Sequence, residues 1–203
     1  MEKKNIALLL FDDVDLLDVA GPFEVFSVTA ALNRNSLCSV FTVAQQNKSI
    51  KTWSGFSLNP TYTFSNCPRP HILLIPGGIG TRAEMKKAQV VEWIQTTAAA
   101  AELVLSVCSG ALLLAQAGLL EGLEATTHHQ VIENLREVTP NTKIHTDRRY
   151  VDNGRIITSA GISAGIDMAL YVVSRLFGEE SARKAAAYME YDWSKLQAGL
   201  VPA

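Results

Sequence analysis

The chain has 203 residues, 48% of them apolar and 19% charged, which is enough for one folded domain over 1–203 and too apolar for disorder. Eighteen Lys and Arg against 20 Asp and Glu leave a formal charge of −2, no electrostatic footprint for DNA or RNA. The 3 Cys, at 38, 67 and 108, cannot close a set of disulfides and fit no zinc spacing, so the chain reads as a reduced, cytoplasmic protein.

Lys3-Lys4 ahead of Ile6–Phe11 has the outline of a signal peptide, but Asp12, Asp13 and Asp15 cut the apolar run short. No run reaches the roughly 20 residues of a membrane helix. Ile6–Phe11 therefore reads as a buried strand, and the three aspartates as solvated turn residues. Gly21-Pro22 opens a helix to about Asn33, with Pro in its first turn. Ser39–Ala44 is a second strand, and residues 46–68, with Trp53, Gly55 and Pro60, suit short strands or a hairpin at an edge. Ile72–Ile75 is a third strand, ended by Pro76-Gly77-Gly78 and followed by a helix over 84–100. Leu103–Val107 runs into Cys108-Ser109-Gly110 and an apolar helix, Ala111–Ala117. A short strand, Ala125–Thr127, precedes a helix over Val131–Arg136. Asp152-Asn153-Gly154 is a hairpin turn between Arg149–Val151 and Ile156–Thr158. Helices over Ser163–Phe177 and Glu179–Tyr188 follow. This alternation implies an α/β fold with a mainly parallel sheet and helices on both faces.

Cys108 stands where a buried strand meets a helix, between small residues, the outline of a nucleophile elbow. A helix start there is expected to lower the thiol from its free value of about 8.5 until the thiolate dominates. Cys38 and Cys67 read as core. Gly77 and Gly78 end the neighbouring strand, where glycines either make a plain turn or expose N–H donors to a developing anion. Ligands of parallel sheets sit beyond the carboxyl ends of strands, so this turn and Cys108 share one pocket in this reading. Asp18 is open between a loop residue or helix cap and a carboxyl facing that crevice, where a protonated form would avoid repelling the thiolate and would serve as an acid. His128-His129 either orient a substrate and relay a proton or are satisfied polar groups; on an extended chain they point to opposite sides, against a metal site. His71 and His145 carry no supporting pattern.

Leu17-Asp18-Val19-Ala20-Gly21-Pro22, Ile75-Pro76-Gly77-Gly78, Val107-Cys108-Ser109-Gly110, Ala125–His128 and Gly154–Gly161 together resemble the ThiJ/PfpI superfamily over residues 5–178. Asp18, Ala117–Leu120 and Glu190-Tyr191-Asp192 make the isocyanide hydratases the most similar branch. The resemblance implies a flavodoxin-like three-layer sandwich, related to class I glutamine amidotransferases, and a homodimer. It implies Cys108 as nucleophile and Asp18 as its acidic partner. Ser109 stands where the hydratases carry Thr, keeping a hydroxyl; protease-like members carry His there, so peptidase activity is disfavoured.

The expected function is a hydratase or hydrolase of a small electrophilic substrate that needs no metal or organic cofactor, with backbone N–H groups of Gly78 and Ser109 steadying charge. Two alternatives stay open. One is a redox-stress or glyoxalase-type protein with an oxidisable Cys108. The other is the ligand-sensing domain of an AraC-type regulator, although a chain ending at Ala203 leaves no room for a helix-turn-helix.

Overall fold

In the computed structural model, residues 2–193 are described; residues 1 and 194–203 of the expected domain lie outside them. The apolar runs of the sequence become the middle of one sheet: β1 (Lys4–Leu10), β2 (Cys38–Ala44), β6 (Ile72–Ile75) and β7 (Leu103–Val107). The sheet has seven strands in the order β10-β11-β7-β6-β1-β2-β5, adding β5 (Tyr62–Thr63), β10 (Tyr150–Asp152) and β11 (Ile156–Ser159). All neighbours pair in parallel except β10 with β11, the expected hairpin. Strands buried on both faces need no polar alternation, which is why they are near-continuous Ile, Leu and Val.

The helices α1 (Leu16–Leu32), α6 (Ala164–Phe177) and α7 (Glu179–Tyr188) pack together on the sheet. A second group gathers round α4 (Gly110–Gln116): α2 (Thr81–Glu84), α3 (Ala88–Ala100) and α5 (Ile132–Val138). This is the three-layer, flavodoxin-like sandwich. Among the described residues no helix is long and apolar enough to cross a membrane.

Several elements differ from the sequence reading. Helix α1 starts at Leu16 rather than Gly21, because Asp15 is its N-cap and accepts a hydrogen bond from Leu17 N at 3.2 Å. Pro22 therefore lies inside the helix. The helix over 84–100 is two, interrupted at Met85–Lys87. The strand at 125–127 shrinks to β8 (Glu124–Ala125), which leaves the main sheet to pair with β9 (Lys143–Ile144), a strand the sequence did not announce. Residues 46–68 form the expected hairpin, β3 (Ile50–Lys51) with β4 (Ser57–Leu58), and then β5 at the sheet edge.

Helices α1 and α6 cross where side chains are missing. A Cβ on Gly21 would lie 2.8 Å from Ile166, and one on Gly165 would lie 2.9 Å from Val107 and 3.4 Å from Pro22.

Candidate active site

Strand register brings the first parts of the site together. Ile75 pairs with Ser106, so two residues further on the turn at Gly77 and the elbow at Cys108 emerge side by side. The chain runs from β1 to β2 on one side and later to β6 on the other, and a crevice opens beyond the carboxyl ends at that reversal.

Cys108 adopts φ 56°, a left-handed conformation that costs a non-glycine residue about 1–3 kcal/mol and persists only when its surroundings enforce it. Three neighbours enforce it. The Cys108 N–H donates to the carbonyls of Ser159 (3.2 Å) and Ala160 (3.1 Å), and Thr127 Oγ1 donates to the Cys108 carbonyl at 2.7 Å. Thr127 and Ser159 figured in the sequence only as members of the motifs Ala125–His128 and Gly154–Gly161, with no role of their own.

Asp18 lies in the first turn of α1 and is fully buried, neither a loop residue nor the cap. Its Oδ2 accepts from Gly77 N at 2.9 Å; its Oδ1 has no hydrogen-bond partner of full geometry, and the Cys108 thiol is the other group that touches the carboxyl. Burial, with the charge of Asp15 added, pushes the Asp18 carboxyl up to about 7.

The sulfur does not match the expectation of a depressed pKa. Burial first, and then the Asp18 charge, push the Cys108 thiol up to about 12; the N–H groups of Ser109 and Ile162 pull the other way without winning. At neutral pH the pair therefore carries at most one negative charge. Ile162 has φ 46°, strained for a β-branched residue, and nothing in its sequence signalled that its amide faces the sulfur.

The glycine turn is built into the site rather than left open. Gly77 N–H goes to Asp18, and Gly78 N–H donates to Ser109 Oγ at 2.9 Å, which donates back to the Gly78 carbonyl at 3.1 Å. With Gly78 N–H engaged in this way, the amides that reach the sulfur are those of Ser109 and Ile162 instead. A Cβ on Gly77 would lie 2.6 Å from Ser109 N and 2.7 Å from both Asp18 Oδ2 and Ser109 Oγ, so only glycine lets the three meet.

A cleft of about 270 Å³ opens over Cys108, lined also by Asp15, Trp53, Ile79, Arg82, His128 and Ile162. The hairpin of β3 and β4 docks on the β1–α1 loop through Trp53 N to the Val14 carbonyl (3.3 Å), and Trp53 Nε1 donates to Asp15 Oδ2 at 3.2 Å. Asp15 is thus a cap and a tether, not merely a solvated turn residue. His128 caps a single 3-10 turn, His129–Val131, its Nδ1 accepting from Gln130 N at 3.2 Å. The chain leaves its extended course at His129, where the 3-10 turn begins, so the His128 and His129 rings lie 4.3 Å apart instead of pointing apart. Burial and His129 lower the pKa of His128, which favours the neutral ring. Among the described residues, the side chains that could jointly hold a metal ion are Glu2, His71 and Glu102, at the opposite end of β6 from the cleft.

A second acid completes the neighbourhood. Asp167, in the first turn of α6, is fully buried and accepts from Arg149 Nε at 2.5 Å and from Tyr191 OH at 2.8 Å. Arg149 also reaches Ser163 Oγ at 3.3 Å, and its carbonyl accepts from Ala160 N at 2.8 Å. This network braces the loop that carries Ile162, and it gives Tyr191 a structural place.

An α/β sandwich with a strained cysteine at a strand-to-helix elbow and a buried acid against it defines a class of cysteine-centred flavodoxin-like domains. The chain belongs to the DJ-1/PfpI family, whose model matches residues 4–175. It is 34% identical to an isonitrile hydratase of Pseudomonas putida over 92% of this chain and 78% of that one. A solved ThiJ/PfpI family protein from Pseudomonas syringae superposes with a TM-score of 0.85 at 32% identity, over 95% of this chain and 76% of its own. The HTH-type transcriptional regulator GbdR of Pseudomonas aeruginosa is 25% identical over 93% of this chain, which spans only 51% of the regulator.

Proposed function

We propose that the protein is a cysteine-dependent hydratase of small electrophilic carbon compounds, with isocyanides as the leading substrate and N-substituted formamides as the product. The observation that carries this reading is the contact between the strained Cys108 and the buried Asp18, whose carboxyl titrates near neutrality. One proton and one negative charge suit this pair. When the proton sits on Asp18, the repulsion that adds to the effect of burial on the thiol is gone, and the Ser109 and Ile162 amides work against the burial that remains.

The thiolate attacks the terminal isocyanide carbon and forms an S–C bond. Asp18 gives its proton to that carbon, leaving a thioimidate and a carboxylate. Water adds across the C=N bond, the S–C bond breaks, and the formamide departs as the carboxyl and thiol share a proton again. Ser109, Gly77 and Gly78 position the pair, and His128, as a neutral ring at the rim, orients the substrate or the water. The chemistry draws on thiol, carboxyl and water alone. We extend the reading to a homodimer in the cytoplasm with a small molecule as its partner, as the resemblance implies.

The test is to incubate purified protein with an alkyl isocyanide and follow the formamide by NMR. Turnover by the wild type and none by Cys108→Ala is expected. Equal turnover by both, or none by the wild type across a panel of isocyanides, overturns the reading. A second reading, ligand sensing within a longer regulator, is favoured by the match to GbdR along nearly the whole chain. It predicts ligand-induced thermal stabilisation that persists in Cys108→Ala without any product.

A further inference from the structure

We infer that the Cys108 cleft selects substrates bearing a carboxylate a few bonds from the reacting carbon, and that Arg82 is the specificity-determining residue that reads it. The inference rests on the nucleophilic role proposed for Cys108 and names the substrate class of that same site.

Arg82 lines the cleft with Cys108 and Ser109. Among the described residues its guanidinium makes one polar contact, from Nη1 to Thr81 Oγ1 at a long 3.4 Å, and no carboxylate lies within ion-pair distance. Thr81 Oγ1 donates to the Gly78 carbonyl at 2.8 Å and lies 3.5 Å from Ser109 Oγ. The guanidinium is therefore only two contacts away from the residue that follows the nucleophile. A guanidinium stays charged at every working pH and presents a planar fork that matches a carboxylate.

The other formal charge of the lining is already committed. Asp15 accepts from Leu17 N and from Trp53 Nε1, each at 3.2 Å. The lining thus holds an anion whose oxygens are engaged and a cation with donors to spare. Trp53, Ile79 and Ile162 give the cleft apolar wall beside the polar His128 and Gln130, and suit the short linker between the two functional ends of a small molecule. A second cavity of about 270 Å³, beside β1, makes the contrast: its Lys48 and Lys87 are both paired, with Asp12 and Glu84, at 2.7 Å.

Iodoacetate and iodoacetamide are near-isosteric alkylating agents that differ in charge. Each reacts by attack of Cys108 Sγ on the CH₂ carbon as the C–I bond breaks; iodide leaves, and the thiol proton passes to Asp18 or solvent. Rates at Cys108 would be measured by peptide mass spectrometry in the wild type, Arg82→Gln and Arg82→Lys. Arg82→Gln is expected to lower the iodoacetate rate about fivefold relative to iodoacetamide, the scale of one partly exposed ion pair, and Arg82→Lys to retain part of the preference. High salt should shrink the wild-type preference. Rapid iodoacetamide labelling with the same rate ratio in wild type and Arg82→Gln overturns this inference and leaves the nucleophile standing. No labelling of the wild type by either reagent overturns the nucleophile, and the inference with it.

Discussion

Asp18 and Asp167 are both fully buried, and both sit in the first turn of long helices that pack on each other. Their surroundings are opposite. Asp167 is met by the guanidinium of Arg149 and the hydroxyl of Tyr191. Asp18 has a single backbone N–H and a thiol. Leaving a buried carboxyl without a cation is costly, and such groups are found preferentially where a proton is exchanged. The comparison separates an acid that braces the fold from one that, in the proposed function, exchanges a proton.

The sharpest break would come at the sulfur. Cys108→Ala should abolish turnover, with product no faster than without protein, while far-ultraviolet circular dichroism stays unchanged. Next comes Asp18→Asn, expected to slow turnover about 100-fold, the scale of one positioned general acid. The same change should stabilise the fold. With its folded pKa near 7 and an ordinary value when unfolded, Asp18 binds its proton more tightly in the native state. Wild-type stability therefore falls as pH rises from about 4 to about 7. Removing the titration should raise stability at pH 8 by up to about 4 kcal/mol and hardly at all at pH 4. Urea titrations at the two pH values check this, and equal effects at both would deny Asp18 its raised pKa.

Arg149→Ala tests the other acid with the reverse sign. It strands the Asp167 carboxylate in the core and should cost about 3 kcal/mol in urea denaturation. If it costs nothing, the two aspartates are not the contrasting pair described above. The smallest effect belongs to Thr127→Val, which removes the hydroxyl bond to the Cys108 carbonyl: about 1 kcal/mol of stability, with a fall in kcat and little change in KM.

Much of this was legible in the chain. The β1, β6 and β7 strands announce themselves as apolar runs, and the rule that parallel sheets bind ligands beyond their carboxyl ends places Asp18, Gly77 and Cys108 in one crevice. Pro22 misled, because a proline near the start of a helix normally marks its first turn; the capping carboxyl of Asp15 was the better signal, and it hid among three aspartates. The 125–127 strand was overdrawn because Thr126 and Thr127 have strand-forming side chains, whose hydroxyls are here spent on the His145 and Arg148 carbonyls and on the elbow. The direction of the Cys108 shift could not be read at all, since burial and the distance to a carboxyl 90 positions earlier are tertiary quantities. Likewise no spacing joins Arg149, Asp167 and Tyr191, and backbone amides such as that of Ile162 have no letter in the alphabet.

The crossing of α1 and α6 at Gly21 and Gly165 has a consequence for evolution and for protein engineering. One helix carries the acid, and the other begins just after the amide that faces the sulfur. The gap between those two parts is gauged by hydrogen atoms where other residues would put methyls. An alanine at Gly21 would act as a shim against Ile166 of the facing helix, and one at Gly165 would press on Val107 next to the elbow, each shifting the parts of the proposed site while replacing none of them.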